Sequence, residues 1–315
     1  MTPALIRRAA LAPLLAAPLL AAALLGCRSA DDLLPLRLAG AAIVNAGASV
    51  GITSGIVYAQ RDTGSLDLDL YRPLAAATAR PLVIVVHGGS WDSGSPADVA
   101  EFAFDLAANG FVAAAIRYRL VDAGGTFPHP VADLLEALTF LRAHAADYGI
   151  DDHSIGLLGV SAGSTLTLLA GLASDVSVFD PALPAGPAPG VRAIVNIAGP
   201  TDFTIDESSA LPWQISTVEA FLGVPLADAG SLREQASPVH YVRADGPAVL
   251  TIHGTLDALV PIDQAHRLDA ALDSAGQAHQ LCEIPGMEHF GAAIWYSPFA
   301  QLYRGELLGF LADNL

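Results

Sequence analysis

The chain has 315 residues, 53% of them hydrophobic and 15% charged, so it can bury a large core and lacks the composition of a disordered protein. Its formal net charge is −17, from 32 acidic and 15 basic side chains with no lysine among them, which argues against a nucleic-acid partner because phosphate binding needs clustered cations. A chain of this length fits one large α/β domain or two small ones.

Arg7 and Arg8 form a short basic start, residues 9–25 are almost wholly apolar, and the run stops at Gly26-Cys27. A basic start, a short apolar run and small residues at its end describe a secretory signal. A Cys directly after Gly26 resembles a bacterial lipoprotein signal, in which Cys27 receives the lipid and becomes the new N-terminus. The expected organisation is a signal peptide over residues 1–26, a tether over 27–50 and one folded domain over 51–315. The protein is then exported and held on the membrane of the cell envelope through its lipid anchor, with plain secretion as the alternative. Each buried acyl CH₂ contributes about 0.8 kcal/mol, so several chains on Cys27 would hold firmly.

Beyond the tether, residues 52–60 and 66–71 read as a hairpin pair joined through Asp62-Thr63-Gly64. Residues 81–86 are a short apolar, β-branched run, as in a strand buried on both faces. Residues 111–117, 155–160, 193–197 and 248–253 repeat that character, and 279–284 is the last strand candidate, with Cys282 as a buried strand residue. Helical patterns lie between them at 97–108, 131–148, 161–173 and 263–275, with a final one at 299–311. Strands alternating with helices imply a mostly parallel sheet covered on both faces. Residues 179–190, rich in Pro and Ala, read as a surface loop. Residues 201–239, which carry Trp213 and Phe221, read as a small lid-like insertion. The chain shows no internal repeat.

Gly159-Val160-Ser161-Ala162-Gly163 lies at a junction between strand-like and helix-like sequence. A Gly-x-Ser-x-Gly turn has a mechanical reason. The serine sits on a sharp bend with its Oγ exposed above the sheet, and the flanking glycines remove Cβ clashes. The following helix start supplies N–H groups and a positive dipole end for a developing oxyanion. A serine nucleophile needs a base, and the base an orienting acid; behind such an elbow the chain order is Ser, Asp or Glu, then His. Of the five downstream histidines, His289 lies in a Gly-bearing loop just past the last strand candidate and suits the base. Asp257, a few residues after residues 248–253, suits the acid; Asp202 and Glu288 are alternatives, and Asp263 reads as a helix-opening acid. His240, His266 and His279 read as surface or packing residues. His87-Gly88-Gly89-Ser90-Trp91 follows residues 81–86, where a second oxyanion donor belongs. Gly88, Gly89 and the N–H of Ala162 are the expected donors, with His87 holding the loop in shape.

These pieces, with Tyr118-Arg119-Leu120, Asp133, Gly199-Pro200-Thr201-Asp202, Ser237-Pro238, His253-Gly254-Thr255-Leu256-Asp257 and Gly286 to Phe290, run in one order over most of residues 52–315. The chain resembles the His-Gly-Gly esterase and lipase branch of the α/β-hydrolases, near hormone-sensitive-lipase-like and feruloyl-esterase-like carboxylesterases. The resemblance implies an α/β-hydrolase fold, with Ser161 as nucleophile, Asp257 as acid and His289 as base. It implies hydrolysis of small carboxylic esters, short acyl or aryl, without cofactor or metal. Two departures are Ser90 in place of a third Gly, and Ser164 in place of a Gly after the elbow. His-Gly-Gly-x-Trp is also similar to the arylformamidase form, so an amidase or exopeptidase of the same fold is the alternative reading, and a non-catalytic surface binding protein a second one. Trp91, Trp213 and Phe290, with Phe203, are candidates for the substrate pocket. The motif match also pairs Arg119 with Asp133 beneath the oxyanion loop.

Overall fold

The computed structural model describes residues 49–74, 78–204 and 210–315. The signal segment, Cys27 and nearly all of the tether lie outside the described residues. β1 (Val50–Arg61) and β2 (Gly64–Pro73) form the expected hairpin, with Arg61 opposite Gly64 across the turn. β3 (Arg80–Val86), α1 (Ala100–Ala108), β4 (Val112–Ile116), α2 (His129–Ala143), α3 (Ala145–Tyr148), β5 (Ile150–Val160), α4 (Ala162–Leu172) and β6 (Val191–Ile197) then alternate. α5 (Pro212–Leu222) and α6 (Leu232–Gln235) precede β7 (Ala248–Gly254), α7 (Asp263–Ala275), β8 (His279–Ile284), α8 (His289–Ala293) and α9 (Ala300–Asn314).

The eight strands make one sheet in the order β1-β2-β4-β3-β5-β6-β7-β8. β2 is antiparallel to both its neighbours, and every pairing from β4 to β8 is parallel. Side chains alternate across a strand, and β3 shows what that does here. Leu82, Ile84 and Val86 enter one core with Leu134 and Leu138 of α2 and Leu166 and Leu169 of α4. Val83 and Val85 enter the other core with Phe102 and Leu106 of α1 and Tyr303 and Leu307 of α9. Burial on both faces is why these strands read as unbroken apolar runs rather than alternating ones. Cys282 is buried in β8.

Two expected helices differ in their bounds. The pattern over 131–148 divides at His144, whose ring Nδ1 lies 2.8 Å from the Phe140 carbonyl, and α3 then stops at left-handed Gly149. The pattern over 97–108 begins as a 3₁₀ turn at Pro96–Val99 before α1. Between residues 201 and 239, α5 and α6 appear where no helical stripe announces them. Parallel β3 to β8 end at a common edge, where loops gather side chains from distant parts of the chain. β1, antiparallel to β2 and thus parallel to β4, starts at the opposite edge.

Candidate active site

Ser161 stands between β5 and α4 with φ 53° and ψ −122°, a backbone conformation that residues with a Cβ rarely adopt. Its N–H donates to the Ile197 carbonyl (2.7 Å). The flanking glycines are there for space. A Cβ on Gly159 would lie 2.4 Å from Ser164 Cα, and one on Gly163 would lie 2.3 Å from the Val86 carbonyl oxygen. Ser164, the departure noted after the elbow, ties β5 to β6: its Oγ donates to the Gly159 carbonyl (2.6 Å) and accepts from Ile197 N–H (3.0 Å).

His289 opens α8 beside this turn. Its Nε2 lies 2.9 Å from Ser161 Oγ and its Nδ1 2.6 Å from Asp257 Oδ2. A carboxylate only accepts, so Nδ1 carries the hydrogen and Nε2 is the acceptor facing the serine hydroxyl. Asp257 Oδ1 accepts from the N–H groups of Leu259 (2.9 Å) and Val260 (2.8 Å). Burial pushes the Asp257 carboxyl up, but hydrogen bonds from His253, His289 and the Val260 N–H outweigh it and hold the group well below the usual carboxylate range. Of the alternative acids, Asp202 is occupied by the Thr204 N–H and hydroxyl and lies 3.5 Å from Arg267, and Glu288 sits at the N-cap position of α8 with no capping bond from its side chain; Asp257 is the acid that reaches His289. His266 and His279 pair with Glu283 and Asp269. His253, which the sequence places in the His253-to-Asp257 piece without a role, is fully buried beside Asp257.

The Gly88-Gly89 loop leaves β3 and closes on the elbow. A Cβ on Gly88 would come 3.1 Å from Ser161 Cβ, and one on Gly89, at φ 105°, would lie 2.3 Å from the Ser93 carbonyl oxygen. Ser90 and Trp91 also have positive φ, 54° and 62°. Ala162 is the first residue of α4, so its N–H has no acceptor within the helix. His87 is fully buried with its ring stacked on Tyr118 at 4.3 Å, and the Tyr118 hydroxyl donates to the His87 carbonyl (3.2 Å). Burial lowers the pKa of His87. Trp91 Nε1 donates to the Ala162 carbonyl (3.1 Å), and its ring stacks on Phe221 at 4.1 Å.

Arg119 and Asp133 form the expected ion pair, with Nη2 to Oδ1 at 2.7 Å and Nε to Oδ2 at 2.9 Å. Arg61 joins it at 3.0 Å, a third member contributed by β1. The pair braces the segment whose Val121 N–H donates to the Trp91 carbonyl (2.9 Å). Its origin on three separate elements hides Arg61 from any local pattern.

A cavity of about 440 Å³ opens beside Ser161 and His289, walled by Trp91, Phe203, Trp213, Ile215, Val218 and Leu226. Trp91 and Trp213 therefore line it; Phe290, expected there too, does not. It is 66% exposed and stands edge-on to His289 at 6.0 Å. Successive residues of a helix point in different directions, so turning His289 toward Ser161 turns Phe290 to solvent. Among the described residues, Asp269, Asp273 and His279 are close enough together to hold a cation. His279 begins β8, at the opposite edge of the sheet from Ser161, so this group lies apart from the cavity.

The BD-FAE family model matches residues 68–272. The probable carboxylic ester hydrolase LipM of Mycobacterium tuberculosis is 30% identical over 228 residues, which cover 70% of this chain and 52% of that protein. Esterase LipC of the same organism is 31% identical over 229 residues, 70% of this chain and 56% of that protein. The chain thus spans about half the length of these curated relatives. Among solved structures, the thermophilic esterase Est2 of the Planctomycetes species Thermogutta terrifontis, with butyrate bound, is 27% identical. It superposes with a TM-score of 0.66, covering 85% of this chain and 92% of that one.

Proposed function

The chain belongs to the BD-FAE family and has the α/β-hydrolase fold, and from that premise we propose that it is a carboxylic ester hydrolase working through an acyl-enzyme on Ser161. The observation that carries this reading is His289, placed within hydrogen-bond distance of both Ser161 Oγ and Asp257. Ser161 Oγ attacks the ester carbonyl while His289 Nε2 takes its proton. Asp257, anionic and enclosed, stabilises the imidazolium. The backbone N–H groups of Gly88, Gly89 and Ala162 bind the oxyanion. His289 then protonates the departing alkoxide, and water activated by the same base releases the acid. Losing one oxyanion donor costs about 2.7–4 kcal/mol in comparable sites, so the Gly88-Gly89 loop matters nearly as much as the triad.

The substrate class is a small ester with a short acyl or aryl part. The aromatic walls and limited volume of the cavity support this, as does a fold neighbour that binds butyrate. Residues 201–239 serve as its lid, with α5 as the roof. The chain is exported and membrane-anchored through lipidated Cys27, a reading supported by Arg7-Arg8, the apolar run and Gly26.

A panel of p-nitrophenyl esters from acetate to long chains, with Ser161→Ala as control, tests the reading. Turnover and fluorophosphonate labelling are expected in the wild type and absent in the variant; a wild type with neither overturns it. Metabolic palmitate labelling that disappears in Cys27→Ala tests the anchor, and a soluble, unlabelled mature protein defeats it.

A further inference from the structure

His253 is the penultimate residue of β7, and its side chain is fully buried. Its Nε2 lies 2.8 Å from the Val260 carbonyl oxygen and 3.5 Å from Asp257 Oδ2. A carbonyl only accepts, so Nε2 carries the hydrogen and donates it to Val260. A ring that donates from Nε2 in its neutral form leaves Nδ1 bare, and Nδ1 is the atom of this ring with no hydrogen-bond partner in the structure. The tautomer is therefore fixed by the backbone, and the nitrogen that carries the hydrogen stands 3.5 Å from the carboxylate.

We propose that His253 is a positioning residue for Asp257: it clamps the acid loop through Val260 and presents a second N–H dipole to the carboxylate oxygen that His289 uses. The proposal rests on the hydrolase reading above. The Val260 peptide is held from both sides. Its N–H donates to Asp257 Oδ1 at 2.8 Å, and its carbonyl accepts from His253. Asp257 is thus folded back on its own loop by Leu259 and Val260 N–H and backed by the His253 ring, with its side chain closed to solvent. Water does not readily take the place of a donor lost there.

At 3.5 Å the arm from His253 to Oδ2 is weaker than the 2.6 Å bond from His289 to the same oxygen. The two imidazoles nevertheless share one acceptor. These rings are the ionisable side chains in contact with Asp257 among the described residues, and Ser161 and Asp257 are the groups that His289 binds. Removing the His253 N–H leaves more negative charge on Oδ2 facing His289. The imidazolium is then better stabilised, the free base is regained only at higher pH, and the loop loses its clamp. The Asp257 carboxyl is held below the usual carboxylate range against the effect of burial, with both imidazoles beside it.

The test pairs two variants with a measurement on the wild type. His253→Gln keeps an N–H near the Nε2 position, and His253→Met keeps apolar volume without a donor. Rates are counted per active site by burst titration of a p-nitrophenyl ester. His253→Met is expected to lower kcat by about tenfold, the scale of one lost charge-assisted hydrogen bond, with little change in KM. Its acid limb of kcat/KM is expected to move to higher pH. His253→Gln should restore most of kcat and the wild-type limb. Equal losses in both variants with an unmoved limb, or a fully active His253→Met, overturn the proposal. ¹⁵N-histidine NMR of the wild type is independent of whether the variants fold. An Nε2-protonated His253 is expected, and an Nδ1-protonated ring overturns the assignment. Wild-type turnover alone judges the hydrolase reading, so the two failures are distinguishable.

Discussion

Gln214 of α5 donates from Nε2 to the carbonyl of Leu259 at 3.0 Å, which ties the helix over the cavity to the loop that carries Asp257. The same carboxamide accepts from Leu211 N–H through Oε1 (2.8 Å), so it also caps α5. Replacing it by an isosteric apolar residue cuts both links. Gln214→Leu should raise KM for p-nitrophenyl butyrate about fivefold, the effect of one hydrogen bond of about 1 kcal/mol, with kcat within about twofold. Steady-state kinetics check this; an unchanged KM shows that α5 is held by packing alone.

Ser161 keeps its strained backbone only because β5, α4 and the Ile197 carbonyl impose it. A Cβ in such a region costs on the order of 1–3 kcal/mol, and glycine avoids most of that cost. Ser161→Gly should therefore be more stable than Ser161→Ala by about 1 kcal/mol, although neither turns over ester. Thermal unfolding of the two proteins decides the order, and a less stable glycine variant contradicts the strain argument.

Asp133 is fully buried against two guanidinium groups. Asp133→Ala leaves Arg119 and Arg61 without their shared counter-charge. Breaking a buried ion pair from one side costs about 3–5 kcal/mol, and partly exposed arginines place this case near 3. Urea denaturation should show that loss, and stability equal to wild type would remove the brace from the account.

The Asp257 carboxyl, held below the usual carboxylate range, links stability to pH with a definite sign. Its folded pKa is lower than its unfolded pKa of about 3.9, so the contribution is complete above that value and fades as pH falls below it. The difference in Tm between wild type and Asp257→Asn should shrink as pH falls below about 4, where the carboxylate is progressively protonated. A difference that keeps growing on acidification below about pH 4 would reverse the assignment.

The elements that position the site were largely legible in the sequence. β3, β5 and β7 are apolar runs because each is buried on two faces, and the hairpin of β1 and β2 announces itself at Asp62-Thr63-Gly64. α5 was not legible, because its apolar residues form no single stripe and its place is set by the cavity below it. The break at His144 was hidden because a ring that bonds its own helix carbonyl leaves the apolar period unchanged.

Ser161 at a strand-to-helix bend, with small residues on either side, is a matter of a few consecutive residues, and local sterics write it directly into the chain. Asp257 and His289 can be ordered along the sequence for the same reason: each follows a strand that the pattern identifies. Their contacts belong to the tertiary structure. Only the alignment of the ends of β5, β7 and β8 at one edge of the sheet, with β6 between β5 and β7, brings Asp257 Oδ2 to His289 and sets His253 behind it. Likewise only the start of α8 decides that Phe290 faces water while Trp213, far away in the chain, faces the cavity. Propensity and periodicity act over a few residues, whereas these distances depend on strand order and on which core each face of the sheet must fill.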